Sequence, residues 1–218
     1  MKKLLLSILA IFLVIGLVGT STFAWFQDTE TSTGNTFSAG TMDLKVSDWN
    51  EGFGDGVSAT WTMFNMVPGV TTVGPVEVTL LNSGNLAGDH VEISFSHSID
   101  EQTNPPGQNP VESDTNPNSV AADLAKWIEI TSITYTDGFS GTLTDANGNG
   151  FLDLDDLTWA VNAAEGGPLD NLSPPPPNSS GTRTFQMTLK FNAGATNDIQ
   201  GDILTTTVTF TLNQDSSQ

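Results

Sequence analysis

The run His90-Val-Glu-Ile-Ser-Phe-Ser-His97 alternates strictly, with Val91, Ile93 and Phe95 on one face and Glu92, Ser94 and Ser96 on the other. A period of two residues marks a strand with one side on a core and one in water. The alternation returns from Arg183 to Phe191, with Phe185, Met187, Leu189 and Phe191 inward, and from Leu204 to Leu212 through Thr206, Val208 and Phe210. Four further stretches, Met42 to Val46, Val57 to Phe64, Val76 to Leu81 and Ile128 to Tyr135, are rich in Val, Ile, Thr or aromatic residues and end at Gly, Pro, Asn or Asp. They predict further strands. Seven or more strands without strand-helix-strand units predict an all-β fold, a jelly-roll-like β-sandwich, and argue against a parallel sheet.

Helical spacing is confined to short pieces. Ser119 can cap a helix whose Val120, Leu124, Trp127 and Ile128 share a face, and it would cover one edge or end of the sandwich. Before it, Ile99 to Asn118 is a polar loop with four prolines, and Pro174 to Pro177 is a short polyproline piece. Asn171 and Asn178 begin glycosylation sequons in that region. There is no internal repeat.

The first residues follow a different logic. Lys2 and Lys3 precede an apolar run from Leu4 to Val18, and Thr22-Phe23-Ala24 closes it. That is a secretory signal peptide over residues 1–24, cut by signal peptidase between Ala24 and Trp25. The competing reading is an uncleaved anchor, which needs the apolar run carried through Phe23 to reach spanning length. Cleavage leaves an N-terminal segment, 25–40, and a domain, 41–218. The membrane is then met only through the precursor's signal, and the mature protein is secreted to the extracellular space or cell surface.

The formal net charge is −19, from 25 acidic and 6 basic residues, and loss of Lys2 and Lys3 makes the mature chain more acidic still. Such a surface repels nucleic acid and anionic lipid and favours divalent cations or basic partners. Cysteine is absent, so an exported fold must hold without disulfides, by core burial or with the help of metal.

The acids are organised at one place. Asp145-Ala-Asn147-Gly-Asn149-Gly150-Phe151-Leu-Asp153-Leu-Asp155-Asp156 sets side-chain oxygens at positions one, three and five, Gly at six, a carbonyl at seven (Phe151) and acids at nine (Asp153) and twelve (Asp156). This is the ligand order of an EF-hand loop and predicts a structural Ca²⁺ site over 145–156. Asp156 is shorter than the usual Glu, and Asp153 or Asp155 can compensate. The competing reading is an ion-free turn, because Asn, Gly and Asp favour turns for backbone reasons. A helix-like stretch through Leu154, Leu157 and Trp159 follows.

Catalytic constellations are missing. The only histidines, His90 and His97, are seven residues apart on one predicted strand and face opposite ways, so they cannot share a metal. His97 falls on the apolar face and reads as a satisfied or strand-end residue. No HExxH or GxSxG occurs, which points to no enzyme.

Between the predicted cut and the first core strand, Trp25, Thr29, Thr31, Thr33 and Phe37 occupy odd positions, and Asp28, Glu30, Ser32 and Ser38 even ones, with Phe26 breaking the pattern. This is an amphipathic strand that pairs in its own sheet or in another molecule's. The run Ala24-Trp-Phe-Gln-Asp28 followed by Gly34-Asn-Thr-Phe37-Ser-Ala-Gly40-Thr-Met-Asp-Leu44 resembles the N-terminal signature of the TasA/camelysin family of exported biofilm fibre proteins, and of the archaeal bundling-pilus subunits related to them. Asn82-Ser-Gly84-Asn-Leu86 and the run from Leu124 to Tyr135 are similar to that family's pattern too. The resemblance implies a jelly roll whose N-terminus, here Trp25 to Phe37, fills a groove in the next copy to build a linear homo-oligomeric filament. Camelysin-like members are classed as metalloproteases, but this chain carries no zinc motif. The alternative function is a monomeric calcium-binding surface or adhesive domain whose strand folds back into its own sheet.

Overall fold

The computed structural model describes residues 39–58, 61–100, 123–199 and 201–215. Six antiparallel strands form two sheets among them: β1 (Leu44–Ser47), β2 (Thr72–Asn82), β3 (His90–Asp100), β4 (Ile128–Tyr135), β5 (Thr182–Phe191) and β6 (Ile203–Asn213). One sheet has the order β1-β2-β5-β4 and the other is the ribbon β3-β6. The architecture is an all-β sandwich, as the alternation predicts. The described residues from Gly40 onward make one compact unit.

The alternating residues meet between the sheets. Val78 and Leu80 of β2, Ile128 and Ile130 of β4, and Phe185, Met187, Leu189 and Phe191 of β5 face Val91, Ile93 and Phe95 of β3 in one core. β6 contributes half-buried Leu204, Val208, Phe210 and Leu212. Phe185, 0% exposed, is the common contact. Its ring centroid lies 6.2 Å from Phe95, 5.7 Å from Phe210 and 5.9 Å from Trp61. Tilted and edge-on arrangements of this kind match the positive edge of one ring to the negative face of the next.

Three expected elements come out differently. In the stretch Val57 to Phe64, the described residues 57–58 and 61–64 form no strand. Trp61 instead turns inward and its Nε1–H donates to the Met187 carbonyl at 2.9 Å. That carbonyl lies beside the register shift at Gly74-Pro75 in β2, where proline has no N–H for the ladder. The helix expected before Ile128 is a 3-10 turn, Leu124–Trp127, capped by Asp123, whose carboxylate accepts from Ala125 N at 3.1 Å. Ser119 and Val120 lie outside the described residues, and Ile128 and Ile130 are drawn into the ladder with β5. The stretch after Leu154 is a 3-10 turn, Asp156–Thr158, followed by a single helical turn, α1 (Ala160–Ala163). None of the described helices is long and apolar enough to cross a membrane.

Sheet edges are treated unequally. Val46 of β1 exchanges two backbone hydrogen bonds with Gly54, at 2.9 and 3.0 Å. β3 is covered by Leu172, bonded both ways to Val91, and by the Leu169 carbonyl on Ile93 N. On β4, Ile130 N donates to Leu152 O and Leu154 N to Ile128 O. Among the described residues, β6 is laddered on one side only, to β3.

Truncating Phe185→Ala removes the ring on which both sheets and Trp61 converge. Urea unfolding should show a loss of about 3–5 kcal/mol, the cost of a large core cavity. A loss below about 1 kcal/mol would mean that the sheets are held elsewhere.

Candidate functional site

The acid loop closes on itself through its own polar groups. Asp145 at its entrance accepts the N–H groups of Gly148, Asn149 and Gly150, at 2.7, 3.2 and 2.8 Å. Gly148 and Gly150 hold φ of 75° and 100°, a region that side chains with a Cβ resist, which is why glycine stands there. Asn147 Oδ1 accepts from Asn149 N, and Asn149 Oδ1 from Phe151 N. Each asparagine thus tightens the turn one step further along.

Two buried aspartates lock the exit. Asp153 Oδ1 accepts from Asp156 N at 3.0 Å and Asp156 Oδ2 from Asp153 N at 2.9 Å, the reciprocal pattern of a capping box. Asp156 Oδ1 also takes the N–H groups of Ala146 and Asn147, tying the loop's end to its start. Asn162 of α1, fully buried, bonds Thr144 N, Thr144 O and Asp156 O, a clasp that no sequence pattern announces. The loop is pinned to the sandwich by the Leu152–Ile130 and Leu154–Ile128 bonds and by Asn149 Nδ2 on the Lys126 carbonyl.

Of the predicted ligands, Asn147, Asn149 and Asp153 converge. Asp153 Oδ2 accepts from Asn147 Nδ2 at 3.0 Å and Asn149 Nδ2 at 2.7 Å. Asn147 Nδ2 also reaches Asp155 Oδ2, which the indole N–H of Trp159 contacts at 3.1 Å. Half a turn of either amide presents an oxygen to the same point. Asp145 and Asp156 face backbone N–H groups, and Phe151 lies inside the turn. Burial pushes the Asp153 carboxyl up to about 6, with Asp156 adding like charge, against hydrogen bonds from Asn147, Asn149 and the Asp156 N–H that favour the ionised form. Concentrated negative charge around 0% exposed carboxylates is an environment that a hard, oxygen-seeking cation relieves.

Both histidines sit among acids, and in separate places. His90, 3% exposed, has Asp89 Oδ2 3.2 Å from Nδ1, and Asn213 Nδ2, Asp170 Oδ1 and Glu92 Oε1 at 3.1, 3.5 and 3.6 Å from Nε2. His97 lies on the core side of β3 with Asp123 and Asp155, their ligand atoms all within 4.8 Å of one another. Its Nδ1 is buried and has no hydrogen-bond partner, so of the two expected readings, a satisfied or a strand-end residue, the first does not hold for this nitrogen. Sequence reasoning missed the His97 group because Asp123 and Asp155 come from distant segments, and it missed the His90 group because Asp170 does, although Asp89 and Glu92 stand beside His90 in the chain.

The N-terminal segment Trp25, Phe26, Thr29, Thr31, Thr33 and Phe37, and the Ala24–Trp25 cut, lie outside the described residues. The chain that follows is firmly held. Thr41 N donates to Asn85 Oδ1, Leu86 N to Thr41 O and Ser83 N to Asp43 O. Asn82, 0% exposed, accepts from Asp43 N and Gly84 N and donates to Leu86 O. A Cβ on Gly84 would strike Thr41 O and Asp43 N, so only glycine admits this approach. The Gly40-Thr-Met-Asp-Leu44 and Asn82-Ser-Gly84-Asn-Leu86 runs are thus two halves of one anchor at the entry to β1. Asn171 and Asn178 occupy exposed turns with φ of 55° and 59°.

Burial opposes charge on His90, but the Asp89 contact, Asp170 and Glu92 outweigh it and raise the imidazole's pKa. A group raised on folding stabilises below its unfolded value, near 6.5, and that contribution is lost as pH climbs through the folded value. Stability should therefore fall on the alkaline side of about pH 6.5, and thermal melts of His90→Gln should show a flatter profile there. An identical profile in the variant would remove His90 as the cause.

A search of curated proteins gives no match. The sequence profile of the camelysin metallo-endopeptidase family matches residues 1–218, the whole chain. The anchored Gly40–Leu44 run and the β-sandwich behind it are therefore those of a member of the TasA/camelysin family, to which this chain belongs.

Proposed function

We propose that this protein is an extracellular or cell-surface structural subunit that assembles head to tail, each copy laying Trp25 to Phe37 along an edge of the next. The observation that carries this reading is the treatment of edges: β1, β3 and β4 are each covered by a loop bridge, whereas β6 among the described residues is laddered to β3 alone. An open edge offers a row of main-chain donors and acceptors to an incoming strand, with alternate side chains giving register. Trp25, Thr29, Thr31, Thr33 and Phe37 form the inserted face. The anchor at Gly40–Leu44 holds the start of the domain in one place, which suits a subunit that repeats. Membership of the family supports the location and the structural role, and likeness to the archaeal bundling-pilus subunits belongs to the same proposal.

The family's name implies a peptidase metal, and among the described residues neither histidine cluster offers the paired imidazoles of a zinc-peptidase motif. A helix-borne HExxH pair needs two imidazoles on one face, whereas His90 and His97 stand in different clusters with one imidazole each. His90 and Asp170 are buried and engaged by protein groups, leaving no open position for a peptide carbonyl. The reading is therefore non-catalytic. The loop 145–156 acts as a structural Ca²⁺ site that offsets the buried charge of Asp153.

Deleting Trp25 to Phe37 should abolish filaments in electron micrographs and leave a soluble monomer, and Thr31→Pro should do the same by removing a ladder donor. Filaments of normal length from the deletion variant would sink strand exchange and leave the monomeric calcium-binding domain as the better reading.

Chelation should lower the melting temperature, because an ion that binds only the folded state at 100 times its Kd adds about 2.7 kcal/mol. Asp145→Ala with Asn147→Ala should remove the calcium response, and neither form should cleave casein. Calcium-independent melting would make the loop a turn, and metal-dependent cleavage would restore the peptidase.

A further inference from the structure

We propose that His97, Asp123 and Asp155, the last at the end of the acid loop, form a second metal site, for a divalent transition ion of zinc type. The three ligand atoms come from three segments: the core-side face of β3, the cap of the 3-10 turn that opens β4, and the end of the acid loop. They lie within 4.8 Å of one another, close enough to share one ion.

Two buried polar atoms without partners mark the place. His97 Nδ1 has no hydrogen bond, and neither does Oγ1 of Thr206, the residue directly across from His97 on β6. Buried polar groups in folded proteins are almost always paired, so two neighbours left open on adjacent strands point to something that binds there. The carboxylates keep capacity for a metal. Asp155 Oδ2 is held by Asn147 and Trp159, and Asp123 uses Oδ1 on Ala125 N and Oδ2 on Lys126 Nζ, at 3.1 Å. Every carboxylate oxygen has a second lone pair. The Asn147 and Trp159 contacts orient Asp155, as outer partners orient metal ligands.

The donor set selects the ion. One imidazole with two carboxylates suits zinc and its neighbours, whereas the all-oxygen loop at 145–156 suits calcium. His90 has the same composition, but its partners already satisfy it. A metal on His97 would tie the β3-β6 ribbon to the β4 side of the other sheet and to the acid loop, in a chain with no cysteine to do so. Binding would favour the folded state directly.

The experiment uses the purified chain, stripped with chelator and held in saturating Ca²⁺ so that an oxygen site is filled. Titration with Zn²⁺ should give one equivalent bound by calorimetry and a rise in melting temperature, and Co²⁺ should give a visible d–d band. His97→Gln should lose the band and the melting shift, and Asp123→Asn, at a half-buried cap, should lose most of both. His90→Gln should keep them. Circular dichroism of each variant shows that the fold persists. Zinc binding that survives His97→Gln, that disappears only with Asp145→Ala, or that is absent from the unaltered protein would overturn the proposal. The calcium reading fails separately, through a calcium-independent melt.

Discussion

Everything described here hangs on the packing of a four-stranded sheet against a two-stranded ribbon around Phe185. A two-stranded ribbon is marginal by itself in water, so β3 and β6 depend on burying Val91, Ile93, Phe95, Val208 and Phe210 against the larger sheet. The rings of Phe95, Phe185 and Phe210 make that contact, and Trp61 closes it from the loop side. With no cysteine, no covalent link substitutes for it.

The polar structures are secondary to this core and use it as a platform. The acid loop hangs from β4 by backbone bonds at Ile128 and Ile130, and Leu154, Leu157, Leu169 and Leu172 bury its flanks. Once so placed, the carboxylates of Asp153, Asp155 and Asp156 are cut off from water, and the cost is met by backbone N–H groups aimed at Asp156 and by amides aimed at Asp153 and Asp155. The capping-box exchange between Asp153 and Asp156 closes the loop. The same placement brings Asp155 to His97. Charge in this protein is therefore concentrated by the fold at a few interior points as well as spread over its surface.

The anchor gives the family signature a physical meaning. Asn82 and Gly84 are separated in sequence from Thr41 and Asp43, yet each has a geometric reason to be what it is. Asn82 supplies both an acceptor and a donor in a buried corner, and Gly84 lets two backbones approach. Together they hold the chain at its entry to β1.

Strands were legible because a half-buried strand writes its environment into a period of two: β3, β5 and β6 appear in the sequence almost to their ends, with the inward residues identified. The turn of the acid loop was legible as well, since its asparagines and glycines answer to local hydrogen bonds and backbone angles. Val57 to Phe64 misled because β-branched and aromatic residues also serve a loop that packs inward, and only the gap at Pro75 decides that Trp61 bonds the Met187 carbonyl. The turn at Leu124 misled because helical spacing over one turn cannot outweigh the ladder that claims Ile128. What the sequence by itself determined, then, was the alternation of the long strands and the chemistry of the acid loop's turn, both carried by near neighbours. Only the tertiary structure decided which distant groups meet, such as His97 with Asp123 and Asp155 or Asn82 with Asp43, because those meetings follow from how two sheets stack, and stacking leaves no period in the chain.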